Sequence, residues 1–359
     1  MMTGILLINL GTPDAPDTAS VRRYLREFLS DGRVLDINPI GRAALVNLII
    51  APFRAPKSAE AYQSIWFDEG SPLMVYSNQL VDALQERVGE RAKIALGMRY
   101  GSPSIPSAMA QLAGCDRIVV VPLYPHYASA TTGTVLEMVY RHAAAMQVVP
   151  NLSVVPPFYD HPAYIAALAE ISRPHIADDD HVLFSYHGLP VRQLPCQPCD
   201  QTTACPAPTG ARASCYRAQC YATSRALAAA LGLPEDRWTV SFQSRLGRIP
   251  WLEPYTDQTL EAMPETRGIH KLAVLCPAFV ADNLETLEEI AIQGVEQFTE
   301  AGGERLTTVP CLNAEPAWID ALWTMLLETD PTLAHNASTA SSNAATSTDS
   351  PSSVQATGG

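Results

Sequence analysis

The sequence predicts an α/β fold built from two similar halves, each a parallel sheet flanked by helices. Two observations carry that expectation. Apolar strand-like runs alternate with amphipathic helical patterns: RIVVVPLY (117–124) precedes TVLEMVYRHAAAM (134–146), and KLAVLCPAF (271–279) precedes LETLEEIAIQGVEQF (284–298). Such alternation builds parallel strands joined through helices. The chain also repeats itself. VPPFYDHPAYIAAL (155–168) aligns with VPCLNAEPAWIDAL (309–322), with seven identities in fourteen positions. NLGTP (9–13) and YHGLP (186–190) both leave apolar runs, and MRYGSP (98–103) has a counterpart in SRLGRIP (244–250). Several matches in the same order indicate duplication.

The first half is expected over 1–175 and the second over 176–328, with a cysteine-rich insertion at 195–221. A Ser/Thr/Ala-rich tail at 329–359 buries too little apolar surface to offset its ordering entropy and is expected to be disordered. With 359 residues, 47% of them hydrophobic, the chain can supply two real cores. AALVNLIIAPF (43–53) falls well short of the ~20 apolar residues of a membrane span. It reads instead as an apolar lip for a greasy ligand or a membrane surface. The start runs straight into GILLINL without a basic region, so a cytoplasmic protein is expected. A net charge of −13 argues against nucleic acid as partner. Neither G-x-G-x-x-G nor G-x-x-x-x-G-K-[ST] occurs, which removes the usual support for dinucleotide or nucleotide binding.

In open α/β sheets ligands bind beyond the carboxyl ends of the strands. The residues found there are Asn9, Tyr124, His187 and the Asp282–Glu285 region. His187 ends HVLFSYH, and Gly188-Leu189-Pro190 makes a tight exit behind it; a purely structural histidine is the competing reading. Glu285 and Glu289 lie four apart and share a helix face. Asp282 as N-cap with Glu285 three residues later also makes a capping box, which gives the glutamate a structural reading. The stripe Leu284, Leu287, Ala291, Val295, Phe298 is expected to face the sheet. Imidazole and carboxylates at facing strand ends suit ferrous iron or proton transfer.

Cys196, Cys199, Cys205, Cys215 and Cys220 fall within 25 residues. In a cytoplasmic chain such a cluster reads as a metal centre rather than a disulfide framework. Four thiolates would suit zinc or a 2Fe–2S cluster, and five cysteines exceed the four positions of either. Cys115, Cys276 and Cys311 sit in apolar contexts and read as buried.

The motifs LLINLGTPDAP, YLREFLSDGRV, GSPL, MRYGSPSI, PLYPHYASATTG, FSYHGLP, FQSRLGRIPWLEPYT and LETLEE, in this order from about Gly4 to Leu327, resemble the ferrochelatase family. These enzymes insert ferrous iron into a porphyrin. The resemblance implies two Rossmann-like, chelatase-type domains with a cleft for the macrocycle, and protoporphyrin IX and Fe²⁺ as substrates. It implies that His187 and Glu285 face each other across the ring, with Glu289 behind. Asn283 stands where some members have histidine, which leaves more of the work to the glutamates. Arg54 matches a position where a cation meets a propionate, and Tyr100, Tyr124 and Trp251 match residues lining the cleft. The insertion after HGLP resembles that of members holding a 2Fe–2S cluster within the chain. Coproporphyrin as acceptor, another tetrapyrrole chelatase, and a non-catalytic haem or cluster sensor are the alternatives.

Overall fold

The computed structural model describes residues 2–201, 205–247 and 249–334. The first half contains β1 (Thr3–Asn9), α1 (Thr18–Leu29), α2 (Pro39–Ala44), α3 (Ala51–Ile65), α4 (Pro72–Val88), β2 (Ala92–Met98), α5 (Ile105–Gln111), β3 (Arg117–Pro122), α6 (Thr134–Ala144), β4 (Asn151–Val154) and α7 (Pro162–Ser172). The second contains β5 (His181–His187), α8 (Tyr216–Leu231), β6 (Trp238–Gln243), α9 (Thr256–Arg267), β7 (Lys271–Leu275), α10 (Val295–Glu300), β8 (Arg305–Thr308) and α11 (Pro316–Thr329). The strand orders are β2-β1-β3-β4 and β6-β5-β7-β8, parallel throughout. The repeated motifs fall at matching places: NLGTP and YHGLP leave the second strand of each order, and the 155–168 and 309–322 repeats leave the fourth. Central strands covered on both faces need continuous apolar runs, and Ile5, Leu6, Leu7 and Ile8 are all 0% exposed.

The halves exchange their last helices. Helix α7 of the first half packs on α8 of the second, and α11 of the second packs on α4 of the first. Arg87 of α4 pairs with Asp320 of α11 at 3.0 Å, and one core runs through both sheets and includes Trp318. Order continues past residue 329, where the tail was expected to begin. Asp330 accepts a hydrogen bond from Arg117 at 3.1 Å and Leu333 is buried. Residues 335–359 of the expected tail lie outside the described residues.

Three segments are π-wound: Leu45–Ile50, Ser129–Gly133 and Glu285–Gly294. The second and third open the helical regions that follow β3 and β7, so the duplication extends to this irregularity. The third alters the expected stripe. The most buried positions are Thr286, Ile290, Gly294 and Phe298, every fourth residue, because the wider winding keeps them over the sheet. Leu284 instead reaches the first half and packs with Val21, Ala55 and Tyr62.

Candidate active site

The site is assembled at the strand exits of the second half. His187 ends β5 in register with Gln243, the last residue of β6. Gly188 follows because a Cβ there would lie 2.9 Å from the Gln243 carbonyl oxygen and 3.4 Å from the Trp251 ring. The close approach holds the His187 backbone against β6 and brings Trp251 alongside. Trp251 is fixed in turn by its indole N–H, which donates to the Leu246 carbonyl at 2.8 Å. The His187 ring stands edge-on to Phe279 with centroids 6.3 Å apart. Burial lowers its pKa to about 4, so the imidazole is neutral at pH 7.

Gln243 stands between this strand end and the helix that carries the glutamates. Its Nε2 donates to the Glu285 carbonyl at 3.1 Å and lies 3.4 Å from Glu289 Oε2, while its Oε1 accepts from Ser185 Oγ at 2.6 Å. Ser244, held at φ +67°, donates its hydroxyl to Glu289. A serine in this left-handed conformation carries backbone strain, of the kind that gathers at functional sites. Burial raises the Glu289 carboxyl pKa to about 8, with the Glu285 charge adding to it. Burial also raises Glu285, with Glu288 contributing. Among the described residues neither glutamate has a basic partner in an ion pair.

The cap of this helix differs from the expectation. Asn283, not Asp282, caps it: its Oδ1 accepts from the Glu285 and Thr286 amides at 2.9 and 3.2 Å. Asp282 is buried and accepts from Thr286 Oγ1 at 2.9 Å and Asn313 Nδ2 at 2.8 Å. The Glu285 side chain therefore closes no capping box. Its charge is felt by Tyr24 of α1 and Tyr62 of α3, so it lies toward the first half.

The first half supplies walls whose charges are already matched. Asp31 accepts from Arg99 at 2.5 Å, Tyr100 at 2.9 Å and Thr134 at 2.5 Å. Tyr100 is thus enclosed, only 1% exposed. Tyr124 is also buried, and its hydroxyl has no hydrogen-bond partner among the described residues. Arg33 pairs with Glu137 and donates to Ser129 at the π-wound turn. Arg54 lies exposed on α3, near a rim of apolar side chains: Ile40 at 85%, Leu48 at 70%, Ile49 at 55% and Phe53 at 77% exposure. Asp36 pairs with Arg192 just after HGLP and ties the halves together.

The five cysteines come together only in part. Cys196 neighbours Cys215, and Cys199 neighbours Cys205, which also lies against the Arg217 guanidinium. Among the described residues no group of three or more His, Cys, Asp or Glu stands ready to hold a metal, so the expected four-thiolate set is not assembled. Helix winding separates positions five residues apart, and Cys220 is fully buried in the core beside Tyr216. Burial pushes Cys215 up to about 11, which keeps its thiol protonated. Arg217 is 1% exposed, and its Nε lacks a partner among the described residues, a donor left over for an anionic group. Cys276 and Cys311 are buried as expected, while Cys115 is partly exposed. Among the described residues no helix is long and apolar enough to cross a membrane.

Twin parallel sheets, with an imidazole and carboxylates at the strand exits of the second, make the frame of a metal chelatase, and structural likeness supports the fold. SirB from Bacillus subtilis with Fe³⁺ matches with TM-score 0.53 and 12% identity, covering 92% of this chain and 97% of that one. The sirohydrochlorin chelatase SirB from Bacillus subtilis subspecies spizizenii, in complex with cobalt, matches with TM-score 0.54 and 10% identity over the same shares. The family is settled by sequence: the family model described as Ferrochelatase matches residues 2–330, and this chain belongs to the ferrochelatase family. It is 48% identical over 332 residues to the ferrochelatase of Legionella pneumophila strain Corby, covering 91% of this chain and 99% of the relative. It is 47% identical over 330 residues to that of Pseudomonas fluorescens biotype C, covering 89% and 96%.

Proposed function

We propose that the protein inserts Fe²⁺ into protoporphyrin IX to form protohaem, with the macrocycle lying between the halves. The observation that supports this best is a neutral imidazole at a strand end in register with Gln243, whose side chain reaches Glu289 and the Glu285 backbone, with burial raising both carboxyls. Insertion forms four Fe–N bonds while two pyrrole N–H bonds break, so two protons must leave. His187 offers a free lone pair, to accept a proton or to hold the entering iron. Burial favours the protonated form at Glu285 and Glu289. An arriving dication displaces a carboxyl proton to solvent, and the carboxylates then serve as oxygen ligands to iron and relay the second pyrrole proton outward.

In this reading Arg54 meets a propionate at the exposed rim, Trp251 and Tyr124 line the ring, and Tyr100 braces the wall through Asp31. The exposed apolar rim suits a hydrophobic macrocycle and transient contact with a membrane surface. Eight free cysteines suit a reducing cytoplasm. The proposal extends to a 2Fe–2S cluster that would draw the Cys196–Cys215 and Cys199–Cys205 pairs together as its four ligands, with Cys220 dispensable. The paired thiols and the spare Arg217 donor support it. Such a cluster requires about two irons and two acid-labile sulfides per chain; a colourless protein with one zinc would refute it.

Anaerobic incubation with Fe²⁺ and protoporphyrin, followed by absorbance, tests the activity. Haem formation is expected. Porphyrin binding without insertion would make the protein a sensor, and turnover with coproporphyrin alone would reassign the acceptor.

A further inference from the structure

Among the described residues, three buried tyrosines donate their hydroxyls to backbone carbonyls at or just beyond strand ends. Tyr24 reaches Gly11 at 3.0 Å, Tyr164 reaches Pro277 at 2.6 Å, and Tyr216 reaches His187 itself at 2.8 Å. The third differs in what lies behind it. Tyr216 is the first residue of α8, directly after Cys215, which caps that helix, and it has Cys220 as a neighbour one turn on. Its ring stands edge-on to His126 with centroids 5.8 Å apart. His126 bonds Thr223 of the same helix at 2.8 Å, so the phenol has little freedom to turn away. The His187 backbone is thus gripped from two sides, by Gln243 through the Gly188 amide at 2.8 Å and by Tyr216 through its own carbonyl.

We propose that Tyr216 is a positioning residue for His187, the bond through which the cysteine-bearing segment sets the aim of the imidazole. Loss of the hydroxyl leaves the carbonyl unpaired and lets the strand end shift. The ring turns with the backbone that carries it, and a misplacement of about 1 Å at a reacting group can cost as much as 10²-fold in rate. Porphyrin affinity is unaffected, because Tyr216 is buried behind the strand. The inference rests on the role proposed for His187, and it holds whether or not the cysteines carry a metal.

The test compares the full-length parent, Tyr216→Phe and Tyr221→Phe for kcat, porphyrin KM and melting temperature. Tyr221 lies on the same helix, and its hydroxyl accepts from Arg217 without reaching His187. Tyr216→Phe is expected to lower kcat about tenfold at unchanged KM and a nearly unchanged melting temperature, while Tyr221→Phe keeps the parental kcat. Parental kcat in Tyr216→Phe would overturn the proposal. So would an equal fall in kcat for both variants, or a kcat loss matched by a large rise in KM. Iron insertion is measured first in the parent: its absence would refute the proposed activity, whereas an active parent with an indifferent Tyr216→Phe refutes only the positioning role.

Discussion

The two halves share strand order, repeat motifs and a π-wound turn after their third strand, yet they hold opposite electrostatics. In the first half the turn reads Ser-Ala-Thr-Thr-Gly, and the nearby charges are consumed: Asp31 by Arg99, Glu137 by Arg33. In the second half the same place carries Glu285 and Glu289, half-buried and without a basic partner among the described residues. Leu10 precedes the glycine in NLGTP where His187 precedes it in YHGLP. Duplication supplied the frame twice, and the histidine and the glutamate pair stand at these positions in one copy only. A carboxylate left unpaired in a buried wall raises its pKa at a cost in stability, and only one half bears that cost.

The largest expected effect tests whether chemistry resides on one side only. His187→Ala should still bind porphyrin while iron insertion falls about 10²–10⁴-fold, the worth of a general base; Leu10→Ala should lower turnover far less. Equal losses in single-turnover assays would break the asymmetry.

Glu285→Gln comes next. Asn283 supplies the cap, so the melting temperature should move by only a few degrees, as for under ~1 kcal/mol. Insertion should fall about a hundredfold or more, with Glu289→Gln milder. Early melting with full specific activity would assign the wrong carboxylate.

The glycines at the two matching exits sharpen the comparison in the other direction. A Cβ on Gly11, at φ +112°, would lie 1.8 Å from the Tyr100 carbonyl oxygen, against 2.9 Å for Gly188 and Gln243. Urea unfolding should show Gly11→Ala costing more than about 3 kcal/mol and Gly188→Ala about 1–3 kcal/mol. The tighter exit thus belongs to the half without the histidine.

The smallest effect concerns pH. The folded pKa of Glu289, about 8, lies above the ordinary carboxylate value. The fold therefore retains a proton that the unfolded chain releases, and this stability is lost as pH rises from about 4.5 to 8. Glu289→Gln cannot ionise and should melt about 2–4 °C above the parent at pH 9, as for ~1 kcal/mol, with no gain at pH 4. His187 has the opposite sign. With its pKa lowered to about 4, stability should fall as pH drops from 6.5 to 4, and His187→Ala should reduce that acid sensitivity.

The fold was legible in the sequence because the repeats locate strand exits, beyond which ligands bind in open α/β sheets. The twin sheets came from that reasoning, and so did the placement of His187 at the end of β5 and of the glutamate pair after β7. Gln243 and Ser244 were missed although they leave β6, since WTVSFQ mixes polar and apolar residues and gives a weak strand signal. The cap could not be placed because Asp282 and Asn283 are adjacent and both competent; burial of Asp282 against Asn313 decides it. The π winding was hidden because a spacing of four fits either helix. Cysteine spacing gave a count of sulfurs but not their directions, which depend on α8.

The exchange of α7 and α11 governs how the protein can be made. Arg87, Arg91 and Arg117 belong to the first half, yet their partners Asp320, Trp323 and Asp330 are more than two hundred positions further along the chain. A growing chain that has released its first four strands still lacks the helix that covers α4. Domains ordinarily fold in turn as they leave the ribosome. Here the cover of α4 cannot form before α11 has been made, so the first sheet and its full core are not completed together.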